Sequence, residues 1–280
     1  MNKKEKKHIA FIYEGASAEK ELLANMQETF LADFSEVDIF GMPAEGNIYM
    51  LWKKLIDDEF ETNVIDLLKE MSTEIKSRME EKGLKASQFS EIYMFFDYDG
   101  HAAQFSEETL EQANELCRRL GMPEIKNKRD ILERMLMVFD NETEQGKLYV
   151  SYPMVESIKE IDEEKRDYKR LQIPLQEVPK YKHSFGEKTL YGNYSTITKE
   201  MWLYACIASV RQACLIVTDK YDCTYEQFIE YISQINIYHA EKEKYINNKS
   251  GLFLAVLNSV PLFLVEYFDR KFWDLNISVA

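Results

Sequence analysis

The segment that most constrains this chain is an apolar run that ends abruptly in two acidic residues. Residues 92–96 are all apolar or aromatic, and Asp97, Tyr98, Asp99 and Gly100 follow them directly. A short apolar run bounded by a turn residue predicts a buried strand. Residues i and i+2 of an extended chain point to the same side, so we expect Asp97 and Asp99 to lie side by side and to repel each other. A cation bound between them removes this repulsion, and Mg²⁺ prefers such oxygen ligands.

Three further apolar runs predict strands, and helical patterns lie between them. These runs cover residues 8–13, 36–41 and 147–152. The helical patterns and their end signals cover residues 17–30, 47–82 with a break near 61–63, 106–119 and 129–139. Strands that alternate with helices are typical of a parallel or mostly parallel sheet. We therefore expect an α/β fold in which helices flank a mostly parallel four-stranded sheet.

Acidic residues follow three of the four predicted strands. Glu14 comes directly after the first strand, Asp97 and Asp99 end the third, and Glu156 lies just past the fourth. In open parallel sheets, ligands bind outside the carboxyl ends of the strands. The pattern therefore predicts that four carboxylates meet at one edge of the sheet around a divalent cation. The alternative interpretation of residues 97–100 is an ordinary strand followed by an Asp-Gly turn.

The chain changes character after about residue 158. A charge-dense stretch, residues 158–170, leads into residues 171–196, which contain prolines, glycines and tyrosines and predict an irregular connection. Helical patterns then cover residues 201–217, 225–245 and 251–273, the last interrupted by Pro261. We expect two domains, a catalytic domain at residues 1–160 and a mainly helical domain at residues 161–280.

Composition restricts the partners and the location of the chain. The 280 residues carry a formal net charge of −14. Such a chain gains little non-specific affinity for nucleic acid, because phosphate binding depends on Lys and Arg. No apolar stretch reaches the roughly 18 residues that span a bilayer, and the N-terminus lacks the features of a signal peptide. We expect a cytoplasmic protein with no membrane segment.

The cysteine pattern argues against zinc and against a disulfide framework. The chain has four cysteines, Cys117, Cys206, Cys214 and Cys223, and no two of them form a C-x-x-C pair. Buried free thiols are the expected state of all four.

Three short motifs in this chain resemble a known family. They are Glu-Gly-x-x-x-Glu at residues 14–19, Asp-Tyr-Asp-Gly at residues 97–100 and Ser-x-Pro-x-x-Glu at residues 151–156. Together they resemble the Toprim fold, and more closely the RloB-like and OLD-type Toprim nucleases of bacteria. The match covers about residues 8–160. It departs from the family directly after Glu156, where Ser157 and Ile158 follow and the family usually has a Trp.

The resemblance implies Mg²⁺- or Mn²⁺-dependent cleavage of phosphodiester bonds by an endonuclease. Bound metal supplies an activated water and neutralises charge on the phosphate oxygens. In this interpretation Asp97 and Asp99 bind metal, Glu14 binds metal or acts as general base, and Glu156 completes the site.

Two further residues are assigned a secondary place. Glu19 lies about one turn into the helix after Glu14 and is expected either to face the site or to be a solvated glutamate favoured by the helix dipole. His101 is expected to contact the substrate phosphate or to transfer a proton, although an exposed histidine is more often without function.

The resemblance extends to the Toprim subunit of PARIS-type phage-defence systems, which implies an ABC-type ATPase as partner. The chain itself has no G-x-x-x-x-G-K-[ST] motif, so any ATP hydrolysis belongs to another subunit. The leading hypothesis is a nuclease effector of antiphage defence. A non-catalytic Toprim-fold subunit that mediates assembly is the alternative, and nucleotidyl transfer is the least favoured. DNA, tRNA and other RNA all stay open as substrates, as does a homo-oligomeric state.

Overall fold

A computed structural model describes residues 6–15, 17–32, 36–44, 46, 48–98, 107–119, 121, 124–126, 130–185, 189–247 and 252–277. The chain forms two compact units. The first unit comprises Met1–Lys20, Phe34–Met94 and Gly100–Leu148, and the second comprises Glu21–Asp33, Phe95–Asp99 and Tyr149–Ala280. The expected catalytic and helical domains, residues 1–160 and 161–280, stay a prediction.

The main sheet has five strands in the order β2-β1-β3-β5-β4. The strands are β1 (Lys7–Tyr13), β2 (Val37–Pro43), β3 (Phe89–Asp97), β4 (Asp140–Asn141) and β5 (Gly146–Ser151). Four of them confirm the predicted runs. The fifth, β4, corrects the expected four-stranded sheet, because it pairs antiparallel with β5 in a segment where no strand was predicted. A strand of two residues is too short to produce a periodic pattern.

The other four strands of the main sheet, β1, β2, β3 and β5, run in the same direction. Strands β1 and β2 pair in parallel. Strand β3 runs with β1, since the Ser90 hydroxyl donates to the His8 carbonyl at the start of both strands. Strand β5 runs with β3, since Gly146 lies beside Ile92 near its start and the Tyr98 N–H donates to the Ser151 carbonyl at its end. The fold is therefore α/β with a mostly parallel sheet, as expected.

Among the described residues, six α-helices lie between these strands. They are α1 (Ala18–Phe30), α2 (Ile48–Asp57), α3 (Val64–Met71), α4 (Thr73–Lys82), α5 (Glu107–Arg119) and α6 (Ile131–Val138). The predicted break near residues 61–63 separates α2 from α3. A second break was not predicted: Ser72 ends α3, and its hydroxyl accepts from the Ile75 N–H at the start of α4. Gly83 ends α4 with φ +65°, a left-handed conformation that glycine adopts at little cost.

The C-terminal segment is mainly helical, as expected, with two small sheets. Its helices are α7 (Lys199–Thr218), α8 (Tyr225–Tyr231), α9 (Gln234–Ala240), a π-helix (Glu241–Ile246) and α10 (Ser259–Asn276). Short strands form two antiparallel pairs, β6 (Ile161–Asp162) with β7 (Asp167–Tyr168), and β8 (Gln172–Pro174) with β9 (Phe253–Ala255). Short 3₁₀ helices also occur, one before β3 at Ala86–Gln88 and the others after β5. The latter are Val155–Glu160, Leu175–His183, Leu190–Gly192 and Tyr194–Thr196.

Two predictions about this segment were wrong in detail. The helix predicted at residues 251–273 begins only at Ser259, after strand β9. Pro261 does not interrupt it, because Pro261 lies in the first turn of α10, where its missing N–H has no intrahelical partner to lose. The long helix predicted at residues 225–245 ends at Tyr231 and begins again at Gln234, after the N-cap residue Ser233.

The cysteines differ from the expectation as well. Cys214 in α7 and Cys223 in the following loop form a disulfide, with their Cα atoms 6.4 Å apart. Cys117 and Cys206 are free and buried, as predicted. The disulfide pair could not be recognised from spacing, because the turn after α7 brings the two residues together.

Helix α7 has the length and composition of a membrane span. However, 67% of its most apolar window is buried inside the protein, as in the core helix of a soluble protein. Trp202, Cys206 and Ala213 are among its fully buried residues. A single mostly buried helix of this kind is compatible with a soluble protein.

Candidate functional site

Asp97, the last residue of β3, contacts the segment that follows β5. Its Oδ1 accepts a hydrogen bond of 2.8 Å from the Val155 N–H. Val155 opens the 3₁₀ helix Val155–Glu160, which begins shortly after β5 ends. The Tyr98 N–H also donates to the Ser151 carbonyl at 2.9 Å, so the end of β3 is joined both to the end of β5 and to the segment that follows it. Asp97 is thereby held beside the residue that precedes Glu156.

Glu156 is a buried acid with an exposed cation as its partner. Its side chain is 4% exposed, and its Oε1 lies 3.2 Å from the Lys182 Nζ. The Lys182 side chain is 60% exposed and extends from the 3₁₀ helix Leu175–His183. Burial of a carboxylate is costly unless an opposite charge or hydrogen bonds compensate it, and here an ammonium group does so.

Asn258 supports the same segment from the opposite end of the chain. Its Nδ2 donates to the Val155 carbonyl at 2.6 Å, and its Oδ1 accepts from the Val260 N–H in the first turn of α10. The Asn258 N–H donates to the Tyr168 hydroxyl, and the residue is fully buried. Both backbone polar groups of Val155 are therefore hydrogen-bonded, the N–H to Asp97 and the carbonyl to Asn258.

A second ion pair lies one turn further along the same 3₁₀ helix. The Glu160 carboxylate is buried and accepts a 2.6 Å hydrogen bond from the Arg170 Nε. The Arg170 guanidinium also lies over the Tyr181 ring, 5.4 Å from its centroid. Burial, and next the negative charge of Glu160, raise the pKa of Tyr181. Two successive turns thus each present a buried acid to a more exposed cation.

Glu14 and Glu19 belong to the first unit. Glu14 follows β1 and is partly buried, and Glu19 lies in the first turn of α1. Glu19 is only 8% exposed, which excludes the expected alternative of a solvated helix-start glutamate. Its carboxylate lies against Gly15, where a Cβ atom would be 2.5 Å from the Glu19 Oε2. The glycine of the Glu-Gly-x-x-x-Glu motif therefore makes room for the second glutamate.

Two predicted site residues, Asp99 and His101, lie outside the described residues. Within the part of the chain that is described, no group of three or more His, Cys, Asp or Glu side chains is arranged to hold a metal ion. Asp97 and Glu156 are brought to one segment of the second unit, while Glu14 and Glu19 are in the first. The four-carboxylate site stays a prediction.

Two of the predicted ligands, Asp97 and Glu156, are of the chemical type that a hard divalent cation takes. Asp97 and Glu156 offer carboxylate oxygens, the ligands that Mg²⁺ and Mn²⁺ favour. In this structure the buried Glu156 carboxylate is paired with the Lys182 ammonium group. No protein-family model, curated protein or solved structure matches this chain.

Sequence reasoning missed Lys182 and Asn258. Lys182 is one of several lysines in an irregular stretch, and nothing in its neighbours distinguishes it. Asn258 had a detectable signal, because Asn before an apolar run with Pro in the first turn is typical of a helix N-cap. That signal predicts the start of α10, but not the contact with Val155.

Proposed function

We propose that this chain is a divalent-metal-dependent nuclease that hydrolyses phosphodiester bonds in DNA or RNA. The observation that supports this function best is the hydrogen bond from the Val155 N–H to Asp97. It joins an acid at the end of β3 to the segment that carries a second acid, Glu156, after β5. The carboxyl edge of a mostly parallel sheet is where ligands of α/β proteins bind.

Each acid has a separate task in this proposal. Asp97, oriented by the Val155 N–H, is a metal ligand together with Asp99, and Glu156 completes the ligand set. Glu14 shares a metal or removes a proton from the attacking water, and His101 contacts the substrate phosphate. When bound, Mg²⁺ or Mn²⁺ supplies an activated water and neutralises charge on the phosphate oxygens. Glu19, buried against Gly15, keeps the turn after β1 in place.

The change Asp97→Asn tests this function. Asn is isosteric and keeps an oxygen that accepts from the Val155 N–H, so we expect the fold to be retained. Losing the charge of a metal ligand is expected to reduce cleavage at least about 100-fold, by analogy with the loss of one charge-stabilising group. Cleavage of labelled DNA and RNA with Mg²⁺ or Mn²⁺ measures the effect, and circular dichroism verifies the fold.

Asp140→Asn is the matched control, because Asp140 is an exposed acid on β4 of the same sheet. It is expected to cleave like the wild type. If the folded Asp97→Asn protein retains wild-type cleavage, Asp97 is not a metal ligand and the proposal fails.

A non-catalytic assembly subunit is the second candidate. It is favoured by the fact that Asp97 and Glu156 already have protein partners, a backbone N–H and an ammonium group. Such an arrangement is stable without metal. A titration with Mn²⁺ distinguishes the candidates, since the absence of binding at millimolar concentration favours assembly and excludes the nuclease.

The antiphage role and the ATPase partner follow from the motif resemblance. The net charge of −14 suits docking onto a basic surface of such a partner. In cells that carry the complete system, we expect the wild type to restrict phage growth and the Asp97→Asn variant to lose this protection. If the wild type and the variant protect equally, the defence role does not depend on cleavage.

A further inference from the structure

Two lysine side chains lie at successive turns of the 3₁₀ helix Val155–Glu160. The Lys182 Nζ is 3.2 Å from the Glu156 carboxylate in the first turn. Residues three apart in a 3₁₀ helix lie on the same face, about 6 Å apart along its axis. Lys159 therefore follows Glu156 on one face of this helix.

Lys159 shares an aromatic ring with Arg170. The Lys159 Nζ lies 5.9 Å from the centroid of the Phe185 ring and 5.1 Å from that of the Tyr194 ring. The Arg170 guanidinium carbon is also 5.9 Å from the Phe185 centroid. Its Nε donates to Glu160 at the end of the same 3₁₀ helix. The face of an aromatic ring attracts a cation, so these contacts hold both positive groups in place.

Lys182, Lys159 and Arg170, which we call the cationic row, expose positive charge to solvent, whereas the paired acids are enclosed. The Lys182 side chain is 60% exposed and that of Glu156 is 4% exposed. The Arg170 side chain is 38% exposed and that of Glu160 is 5% exposed. Lys159 is partly exposed and forms no ion pair with an acid among the described residues.

We propose that the cationic row binds the phosphodiester backbone of a nucleic acid beside Glu156. This inference rests on the proposed function, because it takes the substrate of that nuclease as the ligand. Several positive charges along one helix suit the regularly repeated phosphates of a strand, and Lys and Arg are the residues that contact phosphates. The exposed Glu177 carboxylate, 4.0 Å from the Arg170 Nη1, offsets part of the charge at that end. We therefore assign the main phosphate contact to Lys159.

A local surface of this kind is compatible with a chain whose net charge is −14. The excess negative charge lowers non-specific affinity over the rest of the surface, since like charges repel. Phosphate contacts are then restricted to the places where cations are exposed. The substrate is thereby directed to the segment that carries Glu156.

The change Lys159→Gln tests the proposal, because it removes one exposed charge and leaves Glu156 and Glu160 paired. Fluorescence anisotropy measures the binding of a labelled single-stranded RNA and of a DNA of the same sequence, in EDTA so that neither metal nor cleavage contributes. We expect the variant to bind about tenfold more weakly, the loss of one contact to a charged group. The slope of log affinity against log salt concentration is expected to become shallower by about 0.7, the value for one phosphate of a single strand.

Two control variants make the loss specific to charge and place. Lys159→Arg keeps the positive charge and is expected to bind with wild-type affinity and salt dependence. Lys271→Gln removes an exposed lysine from α10 and is expected to change neither. Circular dichroism verifies the fold of each variant.

A measurement on the wild type provides the same test if Lys159→Gln does not fold. Lysines are acetylated with and without saturating oligonucleotide, and mass spectrometry maps the modified positions. We expect the oligonucleotide to protect Lys159 and to leave Lys271 as reactive as before. Equal acetylation of Lys159 in both samples would overturn the proposal.

The outcomes separate this inference from the proposed function. If the folded Lys159→Gln protein binds both oligonucleotides like the wild type, the cationic row is not the binding surface, and the nuclease proposal stands. If the wild type binds neither oligonucleotide, this inference fails, and cleavage by the wild type and Asp97→Asn decides the proposed function separately. If polyglutamate displaces the oligonucleotides as effectively as unlabelled DNA of equal charge, the surface recognises an acidic protein segment and the inference is wrong. Tighter binding of RNA or of DNA identifies the preferred substrate, and either result supports the proposal when Lys159→Gln weakens it.

Discussion

At the scale of single residues, the buried acids have different partners. Glu156 faces an ammonium group. Glu241, the first residue of the π-helix, is fully buried, and its Oε2 accepts from the Ala255 N–H at 3.0 Å. Its other oxygen has no hydrogen-bond partner in the described part of the chain. Burial raises the pKa of Glu241 well above the ordinary value, so the folded protein favours the protonated acid.

This raised pKa predicts a pH dependence of stability. The folded state binds the Glu241 proton more tightly than the unfolded chain does. The contribution of the group is therefore complete below the unfolded pKa of about 4.3 and is lost as pH rises through the folded pKa. Within that window we expect the free energy of unfolding to fall by up to about 1.4 kcal/mol per pH unit. In the change Glu241→Gln, this part of the pH dependence is expected to disappear.

Urea denaturation at a series of pH values from 4 upward measures the two curves. Glu243→Gln is the control, because Glu243 is exposed on the same π-helix and its loss is expected to leave the wild-type slope unchanged. Parallel curves for the wild type and Glu241→Gln would show that Glu241 does not bind a proton more tightly in the folded state.

At the scale of helices and strands, two helix N-caps differ in what they stabilise: one stabilises only its own helix, and the other also binds a distant segment. Asn63 and Asn258 are both N-cap residues, of α3 and α10 respectively. Asn63 is exposed and accepts from the N–H groups of Ile65 and Asp66 in its own helix. Asn258 is buried and also donates to the Val155 carbonyl beside the candidate site.

Replacing each cap by Ala is expected to show this difference. For Asn63→Ala we expect a loss of about 1 kcal/mol, the usual cost of a cap. For Asn258→Ala we expect about 2–4 kcal/mol, because the buried Val155 carbonyl also loses its donor. Urea denaturation measures both losses. Equal losses would mean that the contact between Asn258 and Val155 adds nothing to stability.

At the scale of the whole molecule, stability is linked to the redox state. The disulfide closes a short loop, with a sequence separation of 9 between Cys214 and Cys223. By the chain-entropy model, a loop of this size stabilises the folded state by about 2–3 kcal/mol. Disulfides are rare in a reducing cytosol. The cytoplasmic location expected from the sequence therefore implies the reduced, less stable chain.

The change Cys223→Ser is expected to lower the free energy of unfolding by about 2–3 kcal/mol under oxidising conditions. Dithiothreitol is expected to lower the stability of the wild type to that of the variant and to have no effect on the variant itself. Thiol titration of the unfolded wild type checks the bond directly, and four reactive thiols without reductant would contradict it.

Much of the fold was predictable from local patterns. The runs at residues 8–13 and 91–97 became central strands because buried parallel strands are nearly continuous apolar sequence. The helical pattern predicted to end at residue 82 does end there, because Gly83 adopts a left-handed conformation that is easy for glycine. Strand β4 and the break at Ser72 were not predictable, since two residues and a single serine are too short to carry a periodic signal.

The sequence by itself determined the elements of this protein and the acids that follow the strands, because periodicity and end signals act between residues close along the chain. Only the tertiary structure decided which groups face those acids. The contact between Val155 and Asn258 joins residues 103 apart in sequence, and Lys182 reaches Glu156 from a separate irregular segment. Such partners have no local signature, because burial of the acid creates the need for a counter-charge only after the chain has folded.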